Sequence, residues 1–279
     1  MNASNTINNI KKLYSLQNRI VVISGGGGFL AKYISEAVSE FGGIPILIDI
    51  NADSLDLNIK NLKKKNFKGF SYVCDMSKPL EIKKTINEIY RKHKKIDVLV
   101  NALNFKSSNP AFFENFEKYE IEEWTKSLDI NLTGSFVLIQ SIGKIMKKQK
   151  KGSIINIASD VGVISPDHRI YQADIKSKYK GVNFNTPLSY SVSKSGIISL
   201  SRYLATYWAE NGIRVNSISP AGVFNNQPKG FIKKLSKLIP LGRMANPEEI
   251  KGPIVFLASD SSSYITGTNL MVDGGRTAW

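Results

Sequence analysis

Apolar residues along this chain fall into two alternating rhythms. Short, unbroken apolar runs occur at 19–24, 44–48, 70–74, 97–101, 153–158, 213–218 and 269–272. Such runs, lacking polar alternation, read as strands buried on both faces of a parallel sheet. Between them lie stretches with apolar residues every three or four positions, as in helices that cover a core. These span 29–41, 52–65, 79–93, about 120–148, about 188–211 and 247–258. Strand and helix alternate without a linker or repeat. The pattern predicts an α/β fold: one doubly wound parallel sheet of about seven strands, helices on both faces, in a single domain over 1–279.

Three stretches interrupt the rhythm. Residues 162–188 form a polar, basic insert carrying His168, Arg169, Lys176, Lys178 and Lys180, with Tyr171 and Tyr179 among them. Residues 224–239 read as a mobile basic segment beside the substrate. Inside the longest helical pattern sits Asn131-Leu132-Thr133-Gly134. Asparagine and glycine both cost helix propensity, so some other demand must require them there.

Composition removes several function classes. One cysteine, Cys74, excludes an internal disulfide and suits a reducing cytoplasm. Two histidines and no Cys/His cluster argue against zinc. No apolar run reaches the length of a membrane span or a signal peptide, so membrane attachment is not expected. The net charge of +15 is spread over small lysine clusters at helix ends. It reads as a lysine bias, not a nucleic-acid footprint, although it leaves attraction of an anionic small substrate open.

The chemistry-bearing residues stand where strands end. Gly25-Gly26-Gly27-Gly28 follows the first strand and opens a helix, where glycines let the backbone approach a pyrophosphate at the helix N-terminus. Asp49 ends the second strand 24 residues past Gly25, close to the roughly 20-residue offset of a ribose-binding carboxylate. A carboxylate there repels a 2′-phosphate, which favours NAD over NADP. Ser159 stands at the carboxyl end of the fifth strand. Tyr190 and Lys194, four apart on a helix, stack with Cβ atoms about 5–6 Å apart. An ammonium so placed is expected to lower the phenol's pKa and make it a general acid/base.

With these residues in that order, the chain resembles the short-chain dehydrogenase/reductase family from about Gln17 to its end. Pro240-Leu241-Gly242-Arg243-Met244 and the run from Ile265 to Gly275 are similar to that family's closing segments. The glycine turn, the insert and the Thr277-Ala278-Trp279 end resemble bacterial members linked to surface-sugar and nonulosonate pathways. The resemblance implies a Rossmann-type fold and an oxidoreductase acting on a secondary alcohol or ketone, such as a sugar or sugar phosphate. Tyr190 would be the general acid/base, Lys194 its partner, Ser159 the support of the substrate oxygen, and Asn131 the holder of a water relay. Ser24, Gly25, Gly28, Phe29 and Leu30 would surround the pyrophosphate. Asp49 would take the adenosine ribose, Asp75 and Met76 the adenine. Asn101, Val223, Tyr190 and Lys194 would border the nicotinamide end. It also implies a homo-oligomer, tetramer or dimer, through helices carrying Leu128, Leu132, Phe136, Leu200, Leu204 and Tyr207.

Departures are visible too. The family's usual Asn-Asn-Ala-Gly appears as Asn101-Ala102-Leu103-Asn104, and its Pro-Gly as Pro220-Ala221. Ser159 and Tyr190 lie 31 residues apart (190 − 159), against the usual dozen or so. The alternative reading is a non-catalytic dinucleotide-sensing or scaffold protein on the same fold.

Overall fold

Seven parallel strands order themselves β3-β2-β1-β4-β5-β6-β7 in the computed structural model, which describes residues 10–171 and 185–279. They are β1 (Ile20–Ser24), β2 (Ile44–Asp49), β3 (Phe70–Val73), β4 (Val98–Asn101), β5 (Gly152–Ile157), β6 (Ile213–Pro220) and β7 (Asn269–Val272). The connecting helices are α1 (Phe29–Glu40), α2 (Ala52–Lys64), α3 (Pro79–His93), α4 (Ile121–Leu128), α5 (Ser135–Gln149), α6 (Leu188–Tyr207), α7 (Lys229–Ser236) and α8 (Lys251–Ala258). The expected sheet is the observed one, with boundaries moved by a residue or two.

Strand periodicity divides the core into two layers. Val22, Ile46, Ile48, Leu99 and Ile154 face α3 and α5, where they meet Ile86, Leu138 and Ile142. Val21, Ile23, Leu47, Val100 and Ile155 face the other way, onto Ile34 and Val38 of α1 and Ile254 of α8. Both faces are covered, which is why these strands show no polar alternation.

Strand order reverses between β1 and β4, so their carboxyl ends diverge into a crevice, the place where open α/β sheets bind ligands. A buried polar chain ties this point together. Ser24 Oγ donates to Asn101 Oδ1 (2.9 Å). Asn101 Nδ2 donates to Ser135 Oγ (3.0 Å) and to Asn156 Oδ1 (3.1 Å). Asn156 Nδ2 continues to Ser201 Oγ (2.9 Å). Three strands and two helices thus share one satisfied network inside an otherwise apolar layer.

The helical stretch from 120 onward is interrupted. Between α4 and α5 the backbone widens into a π-turn over Asp129–Gly134. Two features hold it: Ser135 Oγ donates to the Asn131 carbonyl (2.6 Å), and Gly134 lies against the Met76 carbonyl. The odd Gly is therefore required by packing. The segment after β6 is also more ordered than expected. It contains α7, whose Leu235 joins Ile170, Ile239 and Met244 in a separate apolar cluster.

Two helical glycines should respond oppositely to alanine. Gly134→Ala drives a Cβ into the Met76 carbonyl oxygen, and should cost about 1–3 kcal/mol of stability through overpacking. Gly252→Ala, in exposed helix with open space around its would-be Cβ, should gain about 0.4–1 kcal/mol. Urea denaturation midpoints check both.

Candidate active site

At the carboxyl edge of the sheet lies a cleft of about 490 Å³. Its first half is built by the turn after β1. Gly25 has φ +66°, a conformation costless only for glycine, and a Cβ there would sit 2.5 Å from the Ala102 carbonyl oxygen after β4. Gly26 N donates to the Ile48 carbonyl (2.9 Å), Gly27 N to Asp49 Oδ2 (3.0 Å) and Gly28 N to the Gly25 carbonyl (2.9 Å). No side chain caps α1, so its first amides, from Phe29 and Leu30, remain for a ligand. Gly25, Gly28, Phe29, Leu30 and Asp49 all line the cleft. Backbone donors at a helix N-terminus with a carboxylate beyond them fit a dinucleotide's pyrophosphate and ribose. Val223 lines the opposite wall, its carbonyl occupied by Gln227 Nε2 (2.8 Å).

The second half gathers Ser159, Tyr190 and Lys194. Lys194 is buried and has no carboxylate partner among the described residues. Its Nζ donates to the carbonyls of Ile157 (2.8 Å) and Leu103 (3.0 Å), and stands 5.6 Å from the centre of the Tyr190 ring. Burial pushes Lys194 down to about 8. Tyr190 is partly exposed as a residue, yet burial of its phenol pushes it up to about 12, with the Ser159 hydroxyl pulling back and Asp160 adding to the rise. The expected lysine-acidified phenol is thus corrected. Spacing put the two side chains together, but burial outweighs the ammonium, whose hydrogen bonds go to backbone.

Other expected site residues stand elsewhere. Ser24 and Asn101 are buried and spent on the polar chain, so neither side chain faces the cleft. Asp75 turns its carboxylate to Ser77 (2.7 Å) and Lys78 (3.4 Å), and Met76 is buried beneath it. Neither lines the cleft. Of Asn131, expected to hold a water relay, Oδ1 accepts the Phe105 amide (2.7 Å) and the carbonyl accepts the Ser135 hydroxyl, one bond on each oxygen. It fixes the same post-β4 loop that Lys194 grips at Leu103. His168 is exposed and borders a neighbouring groove, while Arg169 forks onto Asp167 (2.9 and 2.8 Å). Lys176, Lys178, Tyr179 and Lys180 of the insert lie outside the described residues.

Several cleft residues escaped sequence reasoning. Asp160 and Arg276 meet at 3.0 Å beside Ser159, and Tyr171 and Thr186 join hydroxyls at 2.5 Å. Phe231 of α7 stacks on Tyr171, 5.5 Å between ring centres. Asp160 had a usable signal, since it directly follows Ser159 at a strand's carboxyl end. Arg276 had none: the side chain it meets, Asp160, is far away in the sequence. Among the described residues no cluster of side chains suits a metal ion, and no helix is long and apolar enough to cross a membrane.

A family model described as enoyl-(acyl carrier protein) reductase matches residues 29–277. An NAD-dependent glycerol dehydrogenase from Listeria innocua is 32% identical, covering 98% of this chain and 99% of that one. Post-translational flagellin modification protein A from Campylobacter coli is 31% identical over 93% and 98% of the two chains. The crystal structure of a short-chain dehydrogenase from Leptospira borgpetersenii with bound NAD+ is 34% identical, covers 94% of each chain and superposes with a TM-score of 0.81. Relatives named for D-threitol and, NADP-dependent, for mannitol also align. Match, strand order and relatives agree: the chain belongs to the short-chain dehydrogenase/reductase family.

Proposed function

We propose that this protein is an NAD-dependent oxidoreductase that interconverts a secondary alcohol and its ketone on a sugar or polyol. The observation that carries the reading is convergence: Ser159, Tyr190 and Lys194 line the same cleft as the glycine turn and Asp49. When bound, the dinucleotide supplies the acceptor or donor of hydride. The chain's own residues handle the proton and the geometry. Gly25, Gly28 and the Phe29 and Leu30 amides hold the pyrophosphate, and Asp49 the adenosine ribose. Tyr190 exchanges the proton with the substrate oxygen, Ser159 holds that oxygen beside the phenol, and Lys194 orients the cofactor end while anchoring two strand ends. Asn131 acts as a positioning residue through Phe105. Polyol and sugar names among the relatives support the substrate class. Phe136, Tyr203 and Tyr207, exposed on α5 and α6, support a homo-oligomer that covers them.

Tyr190→Phe should leave dinucleotide affinity nearly intact while turnover falls about 10²–10⁴-fold. Turnover within a few-fold of the parent removes Tyr190 from proton transfer. For the cofactor, fluorescence titration should show NADH binding about tenfold or more tighter than NADPH, because Asp49 repels the extra phosphate. Preference for the phosphorylated form overturns the Asp49 assignment.

The pH profile carries a sign. Tyr190 keeps its proton up to about 12, so proton donation to a ketone persists across neutral pH. Oxidation needs the phenolate, which is scarce and grows with pH. Oxidative kcat/KM should therefore climb from about pH 6 to 9, approaching tenfold per unit for one deprotonation, while the reductive value stays level. A level oxidative profile over that range contradicts Tyr190 as the base.

A further inference from the structure

The buried residues of α2 are Leu55, Ile59, Leu62 and one amide, Asn58, which is 6% exposed. The three apolar side chains join the core layer on that face of the sheet. Asparagine is a poor helix former and an amide is costly to bury, so the position calls for a bonded partner. Asn58 has one: its Nδ2 donates to the Gly26 carbonyl (2.9 Å), in the glycine turn after β1. Asn58 does not itself line the cleft.

That carbonyl belongs to the peptide unit joining Gly26 to Gly27. A trans peptide is planar, and its C=O and N–H point in opposite directions. With the carbonyl held toward α2, the Gly27 N–H points at Asp49 and meets its Oδ2 at 3.0 Å. The other carboxylate oxygen, Oδ1, accepts the Asn51 amide (3.0 Å), and Asn51 Oδ1 caps α2 at the Ser54 amide (2.9 Å). The Asp49 carboxylate is therefore aimed by two backbone amides, and one of them takes its direction from Asn58.

A peptide between two glycines needs such a hold. Reversing it changes ψ of Gly26 and φ of Gly27, and with no Cβ on either residue the chain itself resists little. Neither glycine can give way to a stiffer residue. A Cβ on Gly26 would lie 2.7 Å from Leu47 Cβ, and one on Gly27 2.8 Å from Ser54 Cβ. Close packing on β2 and α2 thus imposes glycine, and glycine leaves the peptide easy to turn. The bonds of Gly26 N to the Ile48 carbonyl and of Gly28 N to the Gly25 carbonyl fix the flanking peptides, not this one. Reversed, it would set its carbonyl oxygen against the Asp49 carboxylate and lose the bond from Gly27.

We propose that Asn58 is a positioning residue for the dinucleotide: it fixes the direction of the Gly26–Gly27 peptide, and through it the carboxylate that receives the adenosine ribose. The assignment rests on the dinucleotide reading above and adds to it a determinant that never touches the ligand. Asn58 governs both how tightly the cofactor is held and how sharply a 2′-phosphate is refused.

The test is fluorescence titration of NADH and NADPH with the parent and with Asn58→Leu, which keeps the side chain's bulk, removes the donor and suits a helix interior. Affinity for NADH should fall about tenfold, the size of a lost buried hydrogen bond. The preference for NADH over NADPH should shrink at least about threefold, because a displaced carboxylate repels the phosphate less. At saturating cofactor kcat should hold while KM for the cofactor rises, since the catalytic half of the cleft is untouched. Combined with Asp49→Ala, the Asn58 change should add little further, the two acting through one peptide. Thermal melting of the ligand-free protein checks folding; should Asn58→Leu fail to fold, Asn58→Ala, which adds no bulk, carries the same comparison. Unchanged affinity for NADH overturns the proposal. So does an equal loss for both dinucleotides, which marks Asn58 as a packing residue and leaves the dinucleotide reading intact. A parent that binds neither dinucleotide, or prefers the phosphorylated one, overturns the Asp49 reading first and the proposal with it.

Discussion

A buried ammonium with no carboxylate partner among the described residues organises this molecule. Lys194 must satisfy its donors with backbone, and it does so by joining the end of β5, through Ile157, to the loop after β4, through Leu103. Those points lie on the two sides of the catalytic half of the cleft. The helix that carries Lys194 is held close on its other sides. A Cβ on Gly162 would approach the Lys194 backbone to 2.9 Å, Ser195 Oγ donates to the Gly162 carbonyl (2.8 Å), and Gly196 lies over Leu132. Burying the amine therefore fixes strand ends, turn and helix with respect to one another. The cost of an unpaired buried charge makes the arrangement all-or-none, because withdrawing either carbonyl leaves a donor without a partner.

The polar chain from Ser24 to Ser201 extends the same logic beneath the cleft. Asn101 uses both amide hydrogens and its oxygen inside the sheet, and Asn156 passes the connection on to α6. Ser135 closes the loop by bonding the Asn131 carbonyl at the π-turn. The glycine turn after β1 and the helix bearing Tyr190 thereby share a fully satisfied network, which specifies one register where an apolar layer would tolerate several.

Much of this was legible in the amino-acid sequence, for a physical reason. Both-face burial leaves continuous apolar runs, so all seven strands announced themselves. Gly25 and Asp49 sit at strand ends, where chain direction alone places them at the crevice. The Asn131–Gly134 anomaly was readable as an anomaly, though it takes the contact of Gly134 with Met76 and the bond of the Phe105 amide to Asn131 to explain it. Other features were not legible, because spacing says who is near whom but not how deep they lie. Ser24 and Asn101 looked like cofactor contacts and are core. Tyr190 and Lys194 are neighbours as expected, yet depth sets the direction in which each titrates. Asp160 and Arg276 are joined only by the fold, β5 and the segment after β7 being brought together across β6.

Depth also changes what controls the phenol. Burial favours the neutral form of Tyr190 and of Lys194 alike, so the lysine four residues away is a weak lever on the tyrosine's acidity. The nearer influence is Asp160, whose charge opposes a phenolate and which reaches the site through Ser159. Burial also raises Asp160's own pKa, and Arg276 pulls it back. Because Arg276 offsets the Asp160 charge without forking onto it, the field at Tyr190 depends on how closely that pair is neutralised.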